Sequence, residues 1–260
     1  MKRLIACLLT ITICCAVFCS CNIQIIPEDD HPRLIAHGGG AVYGYRLTNS
    51  LEAIDSAYAN GFRYIELDFE CTSDGVYVLL HDWESMAGRL LFSERVHTHK
   101  EFLSAATFQD LTLLDLDGLL AWLETHTDVR IITDAKCQNL PFLQTLAALP
   151  AEQRARFIPQ AYSLGELASA KAMGFSDVIL TLYAMDYDEA ALLAFLKEIQ
   201  PWAITIPDKY LSEHLLSALL EQGIVTYTHT VNDLSYYEMW YEKGLYGIYT
   251  DYFVPQKWVN

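Results

Sequence analysis

Cysteine is scarce beyond the first 21 residues of this sequence. Five of the seven cysteines lie in that leader, so only Cys71 and Cys137 remain for the rest of the chain. This distribution excludes a scaffold held together by several disulfides. One disulfide between the two is arithmetically allowed, but two buried free thiols are the simpler interpretation. The zinc patterns Cys-x-x-Cys and His-Glu-x-x-His are also missing, which argues against a zinc site.

Positive charge is scarce as well. The sequence has 17 lysines and arginines against 33 aspartates and glutamates, which gives a formal net charge of -16. Proteins that bind nucleic acid neutralise phosphates with basic residues, so this balance argues against a nucleic-acid partner. It is compatible with a divalent cation held by some of the carboxylates.

An apolar run long enough to cross a membrane is missing too. Lys2 and Arg3 precede an apolar segment, Leu4–Phe18, that falls short of the roughly 20 residues of a transmembrane helix. A basic start, a short apolar middle and small residues afterwards are typical of a secretory signal. An uncleaved membrane anchor is the alternative.

The end of this leader, Phe18-Cys19-Ser20-Cys21, resembles a bacterial lipoprotein cleavage box in which Cys21 would be lipidated. We therefore predict a signal peptide over residues 1–21, a polar tether over 22–32 and one domain over 33–260. The protein is expected outside the cytoplasm, either anchored to the cell membrane by lipid or secreted. Neither a Gly/Ser linker nor an internal repeat divides the remaining chain.

Short β-like runs alternate with amphipathic helical segments in residues 33–260. Such alternation is typical of a parallel sheet with helices outside it. No Gly-x-Gly-x-x-Gly turn opens the first helix, so a single-domain (β/α)8 TIM barrel is favoured over an open doubly wound sheet. Nine candidate strands compete for the eight places in the barrel: Leu34–His37, Tyr64–Phe69, Val76–Leu80, Arg130–Thr133, Phe157–Gln160, Val178–Leu182, Ala203–Ile206, Ile224–Thr228 and Gly247–Thr250.

Helical spacing of apolar residues marks the segments between these strands. The first helix is expected to begin after a cap at Asn49 or Ser50 and to stop at Gly61. The segment from Trp83 to Phe108 shows no clear pattern. The predicted helices are Asn49–Asn60, Phe142–Leu149, Leu164–Met173, Glu189–Ile199, Leu211–Gln222 and Leu234–Lys243.

Two carboxylates on the second strand are the strongest functional signal. Glu66 and Asp68 are two residues apart, so both side chains point to the same face of the strand. Their neighbours Ile65 and Leu67 favour an inward position for the acidic pair. Buried charges of one sign need a compensating cation or hydrogen bonds. We therefore predict a divalent-metal site of hard oxygen ligands, for Ca²⁺ or Mg²⁺, with Asp134 as a third ligand.

Two histidines and a lysine follow other strands, where barrel enzymes carry their chemistry. His37 and His81 each end a candidate strand and suit acid–base catalysis near neutral pH. Lys136 lies two residues after Asp134 and would bring a positive charge toward an anion.

Taken in order, these motifs resemble the glycerophosphodiester phosphodiesterase family, with phosphatidylinositol phospholipase C enzymes as more distant relatives. The resemblance covers nearly all of the chain from Leu34 to Asp251. It rests on Ile35–Gly39, Asn49–Ala53, Ile65–Asp68, Thr72–Gly75, Leu80–Asp82, Thr133–Lys136, His229–Asn232 and Thr250–Asp251.

The resemblance implies a metal-dependent hydrolase of glycerophosphodiesters derived from lipid head groups or wall polymers. It implies that His37 and His81 are the acid–base pair and that Lys136 contacts the phosphate. It also implies that Glu66, Asp68 and Asp134 hold the metal.

The sequence departs from the family pattern at three positions. Gly38 stands where an arginine usually follows the first histidine, Thr48 replaces an acidic residue, and Asp134 replaces the longer glutamate. We hypothesise that Arg46 reaches the phosphate in place of the missing arginine. His229 stands where the family often has an aromatic residue, and we interpret it as a substrate contact.

Two other functions remain open at this point. One is a phospholipase C-type enzyme that cleaves intact lipid, and the other is a non-catalytic binding lipoprotein on a degenerate barrel. In each case the partners are a small or lipid-derived phosphodiester and a membrane surface reached through the lipid anchor.

Overall fold

Nine strands form one sheet in the computed structural model, which describes residues 31–257. Eight of them run parallel and close into a barrel in the order β1-β9-β8-β7-β6-β5-β4-β2, with β1 paired to both β9 and β2. The single-domain (β/α)8 fold is thus confirmed. The strands are β1 Leu34–Ala36, β2 Tyr64–Cys71, β3 Tyr77–Leu79, β4 Arg130–Ala135, β5 Phe157–Ala161, β6 Ile179–Thr181, β7 Ala203–Thr205, β8 Val225–Thr228 and β9 Gly247–Thr250.

The surplus strand is β3. It pairs antiparallel with β2, Phe69 lying opposite Leu79 and Cys71 opposite Tyr77, and it takes no place in the barrel wall. The turn residues Thr72–Gly75 explain this arrangement, because a turn this short can join only antiparallel strands.

Helices follow the barrel strands, and each of the six predicted helices is present with ends shifted by a few residues. Ser50 rather than Asn49 caps the first, through a hydrogen bond that its side chain accepts from the backbone of Ala53. The helices are α1 Leu51–Ala59, α2 Ser85–Leu91, α3 His99–Leu103, α4 Leu116–Thr125, α5 Asn139–Ala147, α6 Ala151–Arg154, α7 Leu164–Ala172, α8 Glu189–Glu198, α9 Glu213–Glu221 and α10 Leu234–Tyr241.

The sequence interpretation missed α4, although Asp115 is a clear N-cap whose side chain accepts a hydrogen bond from the backbone of Gly118. It also left α2 and α3 unassigned. These two helices pack with β3 around a separate apolar cluster that includes Trp83, Met86 and Phe102. The segment from Trp83 to Phe108 is therefore a small folded excursion beside the barrel.

The barrel interior is filled by alternate residues of the strands. Ile35, Ile132 and Ile158 belong to the inner cluster, whereas Ile131 belongs to the larger cluster between strands and helices. Glu66 lies in register with Ile132. Since register partners in a parallel sheet point to the same face, Glu66 faces the barrel interior.

An aromatic layer closes the end of the barrel where the strands begin. The ring of His31 stacks on Trp202 at a centroid distance of 4.3 Å, and Trp202 stacks on Tyr64 at 5.8 Å. The hydroxyl of Tyr227 donates to the carbonyl of Pro32 at 2.8 Å. The chain therefore enters the barrel across this end.

The predicted signal peptide and all of the tether before His31 lie outside the described residues. Within residues 31–257, no helix has both the length and the apolar composition needed to cross a bilayer. Cys71 and Cys137 are free thiols, but both are half-buried rather than fully buried as expected.

Gly247 at the start of β9 tests how tightly this closed end is packed. A Cβ atom there would lie 2.6 Å from the carbonyl oxygen of Arg33 and 2.7 Å from the ring of Tyr227. Gly247→Ala should lower the free energy of unfolding by about 1–3 kcal/mol because backbone must move. Gly165→Ala in α7, where a Cβ has room, should leave stability unchanged or raise it by up to about 1 kcal/mol. Urea denaturation of both variants measures the difference, and equal stabilities would contradict the packing argument.

Candidate active site

Three carboxylates meet at the end of the barrel where the strands finish. Glu66 and Asp68 come from β2 and Asp134 from the adjacent β4, with Asp68 and Asp134 in register. All three are buried, and one carboxylate oxygen from each lies within 4.8 Å of the others. The predicted metal ligands are therefore brought together into a cluster that could hold a cation.

Backbone and amide groups fix the first two carboxylates. The backbone N–H of Gly38 donates to Glu66 Oε2 at 2.7 Å. Asn49 Nδ2 donates to Asp68 Oδ2 at 2.8 Å, and its Oδ1 accepts the backbone N–H of Asp68 at 2.9 Å. This double contact locks the orientation of Asp68, so the motif around Asn49 contributes to the site as well as to the start of α1.

Lys136 supplies the positive charge nearest to the cluster. Its Nζ lies 3.0 Å from Asp68 Oδ1 and 2.8 Å from Asp134 Oδ2. Burial alone lowers the pKa of Lys136, but the three surrounding carboxylates outweigh it and raise that pKa well above its usual value. The lysine is therefore charged at any working pH.

One lysine does not compensate for three buried carboxylates. Burial and the charges of Asp68 and Asp134 raise the pKa of Glu66 to about 8. Asp68 Oδ1 accepts no hydrogen bond from residues 31–257, apart from its ion pair with Lys136. A buried set of three oxygen ligands with a surplus of negative charge fits Ca²⁺ or Mg²⁺.

His37 forms a hydrogen-bonded pair with a residue that the sequence interpretation did not assign. Its Nδ1 lies 2.9 Å from Asp251 Oδ1. The carboxylate can only accept, so Nδ1 carries the proton and Nε2 is left for proton transfer. Burial lowers the pKa of His37, but the Asp251 bond and the charges of Glu66 and Asp68 together raise it above its usual value.

Asp251 follows the last barrel strand and links several other groups to His37. Its Oδ2 accepts hydrogen bonds from Asn232 Nδ2 at 2.8 Å and from Arg46 Nη1 at 3.4 Å. Asn232 in turn accepts the backbone N–H of Asp251 at 2.9 Å. The pattern Thr250-Asp251 was visible at a strand end, but sequence alone gave no partner for it.

His81 follows a different kind of strand from the one expected. It follows β3, which is antiparallel and outside the barrel, so the idea that it ends a barrel strand is wrong. The hairpin turns the chain back, and the N–H of Leu80 donates to the carbonyl of Asp68 at 3.1 Å. His81 Nδ1 lies 2.7 Å from Asp82 Oδ2, and a third of the His81 side chain is exposed.

The backbone around Gly38 explains why the expected arginine does not follow His37. Gly38 has a φ of 54°, and a Cβ atom would lie 2.8 Å from the backbone of Leu47. A larger residue at this position clashes with the loop that follows. Arg46 lies on that loop and contacts Asp251, with 53% of its side chain exposed, which brings it to the rim of the site.

His229 lies in the wall of the same opening. Its ring contacts Tyr183 at a centroid distance of 5.6 Å and Tyr249 at 6.0 Å. Burial and the nearby His37 lower the pKa of His229 to about 4, so it is neutral near pH 7. It lines a cavity of about 210 Å³ beside Asn232 and Tyr236.

Two tyrosines that the sequence analysis did not assign to the site contact Asp134. The hydroxyl of Tyr162 donates a short hydrogen bond to Asp134 Oδ1, and the hydroxyl of Tyr183 donates to the same oxygen at 3.0 Å. Burial raises the pKa of Asp134, but Lys136 and the two hydroxyls outweigh this and lower it below its usual value.

These residues bring together a buried carboxylate cluster suited to a cation, a lysine, and a histidine held by an aspartate, at the mouth of a parallel barrel. This combination is typical of hydrolases that act on phosphate esters. Residues 38–156 match the sequence profile of the glycerophosphoryl diester phosphodiesterase family. This match agrees with the resemblance that the motifs predicted.

Curated relatives match over a shorter segment. The glycerophosphodiester phosphodiesterase 1 proteins of Rattus norvegicus and Homo sapiens are 45% and 44% identical over 60 and 64 residues. These segments cover 23% and 24% of this chain but only 18% and 19% of the two relatives.

Solved structures match over most of the chain. An Oleispira antarctica phosphodiesterase in complex with the product sn-glycerol-3-phosphate has a TM-score of 0.69 at 21% identity, covering 87% of this chain and 94% of its own. A glycerophosphodiester phosphodiesterase from Thermotoga maritima has a TM-score of 0.65 at 21% identity, covering 85% and 95%. At this identity the two structures support the fold.

The raised pKa of Glu66 predicts how pH and cations act on stability. Because that pKa of about 8 lies above the ordinary value of 4.5, the metal-free fold favours the protonated acid and loses stability as pH rises between these values. A saturating divalent cation, which requires the ionised form, should therefore raise Tm more at pH 8 than at pH 5.

Glu66→Gln should remove most of this cation-dependent gain while keeping the metal-free Tm at pH 8 at or above that of wild type. Glu70→Gln, a change on the same strand but outside the cluster, is the matched control and should respond to the cation as wild type does. Differential scanning calorimetry with Ca²⁺ or Mg²⁺ measures these shifts. An undiminished gain in Glu66→Gln would rule out Glu66 as a ligand.

Proposed function

We propose that this protein hydrolyses glycerophosphodiesters and releases glycerol 3-phosphate, using a divalent cation and two histidines. The observation that carries the proposal is the cluster of Glu66, Asp68 and Asp134 beside the His37–Asp251 pair. The family match over residues 38–156 and the product bound in the Oleispira antarctica relative support this substrate class.

Charge neutralisation at the phosphate is divided among several groups in this proposal. Lys136 lies between Asp68 and Asp134 and would meet a phosphodiester oxygen. A Ca²⁺ or Mg²⁺ ion held by the three carboxylates would supply Lewis-acid stabilisation and lower the pKa of an attacking hydroxyl. Arg46 would add a second positive charge at the rim, and His229 would contact the substrate from the wall.

Proton transfer falls to His37 and His81. Asp251 holds the proton on Nδ1 of His37, which leaves Nε2 to exchange a proton with the substrate. His81, on the neighbouring hairpin, handles the other proton, so that one histidine deprotonates the attacking hydroxyl and the other protonates the leaving alcohol. We propose that the attacking group is the adjacent glycerol hydroxyl, giving a cyclic phosphate that water then opens.

The leader supports a location outside the cytoplasm, with Cys21 lipidated and the protein anchored to the membrane. The substrate would then be a glycerophosphodiester from lipid head groups or wall polymers. Cleavage of intact lipid to diacylglycerol without added metal would favour the phospholipase C-type alternative instead.

His37→Ala should lower kcat by about 10²–10⁴-fold, the usual contribution of an acid–base group. The assay is release of glycerol 3-phosphate from a glycerophosphodiester, with and without Ca²⁺ or Mg²⁺. His214→Ala removes an exposed histidine on α9 and should retain full activity. Equal rates in His37→Ala and wild type would defeat the mechanism, and no turnover by wild type under any metal would favour a binding lipoprotein.

Arg46→Ala should raise KM for the glycerophosphodiester by at least about tenfold, since a charged hydrogen bond to phosphate contributes roughly 1.5–3 kcal/mol. Steady-state kinetics with Arg95→Ala as the control measures this effect, because Arg95 pairs with Glu101 on the exposed excursion. Unchanged KM and kcat in Arg46→Ala would exclude a role at the phosphate.

A further inference from the structure

Asp134 differs from the other two carboxylates of the cluster in how it is held. Gly38 and Asn49 fix Glu66 and Asp68 through a backbone N–H and an amide. Asp134 instead accepts two phenolic hydrogen bonds on Oδ1, from Tyr162 and Tyr183, and the ammonium of Lys136 on Oδ2. Both of its oxygens are therefore directed by side chains.

The barrel places these tyrosines at regular positions. Tyr162 comes directly after β5 and Tyr183 two residues after β6, the next two strands beyond β4 in the barrel. Their ring centroids are 5.8 Å apart, so the two phenols form a continuous wall beside Asp134.

The two hydroxyls are not equivalent. Tyr162 is largely buried, and its hydroxyl also lies 3.2 Å from the carbonyl of Ala135. Tyr183 has 36% of its surface exposed and its ring leans toward His229. Tyr162 is thus the firmer support and Tyr183 the more accessible one.

We infer that Tyr162 and Tyr183 are positioning residues that orient Asp134 for cation binding. A carboxylate ligand that is free to rotate must be ordered when the cation binds, whereas one held by two donors is ordered beforehand. Asp134 is one methylene shorter than glutamate and has less reach, so its orientation matters more. This inference rests on the proposed metal site.

Tyr162→Phe removes only the hydroxyl and keeps the ring in place. Because supporting groups of metal ligands typically contribute 10–100-fold to affinity, this variant should bind Ca²⁺ or Mg²⁺ at least about tenfold more weakly than wild type. Tyr183→Phe should show a smaller loss. Tyr241→Phe, which removes the hydroxyl from a ring that contacts Arg33 at the closed end of the barrel, should bind as wild type does.

Isothermal titration with CaCl₂ and MgCl₂ gives these affinities, and circular dichroism gives the metal-free Tm of each variant. At saturating cation, kcat of Tyr162→Phe should stay within about threefold of wild type, since the hydroxyl acts on a ligand and not on the reacting atoms. The metal-free Tm should change little, which separates positioning from general stability.

Two results would overturn the inference in distinguishable ways. Cation affinity within twofold of wild type in both Tyr162→Phe and Tyr183→Phe would show that the hydroxyls do not orient Asp134, and would leave the metal site intact. Absence of cation binding by wild type itself, with Glu66→Gln indistinguishable from it, would remove the metal site and the inference together.

Discussion

The burial of three like charges at the mouth of the barrel governs most of the features of this protein. Glu66, Asp68 and Asp134 lie within 4.8 Å of one another in a region with little access to water. Carboxylates so placed repel each other and lose their hydration, which costs several kcal/mol unless other groups compensate. The surrounding residues provide that compensation. Lys136 alone does not balance the three carboxylates.

The compensation comes from residues far apart in the chain. Asn49 precedes the first helix, Lys136 follows β4, and Tyr162 and Tyr183 follow β5 and β6. Only the closure of the barrel brings them together, because it places all of the strand ends around one opening. The geometry of the carboxylate cluster thus depends on the fold. In return, the fold carries the electrostatic cost of burying that cluster.

Local pattern was sufficient for the barrel and for its charged residues. The spacing of Glu66 and Asp68 predicts a shared face, and β2 with its inward carboxylates confirms this. The sequence pattern did not predict contacts between residues that are far apart in the chain. Asp251 contacts His37, which lies 214 positions earlier. A tyrosine after a strand likewise carries no local sign that its hydroxyl meets Asp134.

The direction of a strand could not be predicted from the sequence either. The run at β3 has the composition of a barrel strand, and only the pairing of Phe69 with Leu79 shows that it is antiparallel. The helices of the excursion over Trp83–Phe108 could not be predicted from the sequence either. They are short, and they pack with β3 in a separate apolar cluster. Short helices of this kind are weakly encoded by propensity, since tertiary contacts supply most of their stability.

The aromatic layer at the closed end of the barrel also fixes the position of the first described residues. His31 stacks on Trp202, and Tyr227 holds Pro32, at the end opposite to the carboxylate cluster. The described chain therefore begins at the closed end of the barrel, and the carboxylate cluster lies at the opposite, open end. The aromatic packing of the closed end and the charged groups of the open end are thus separated by the length of the barrel.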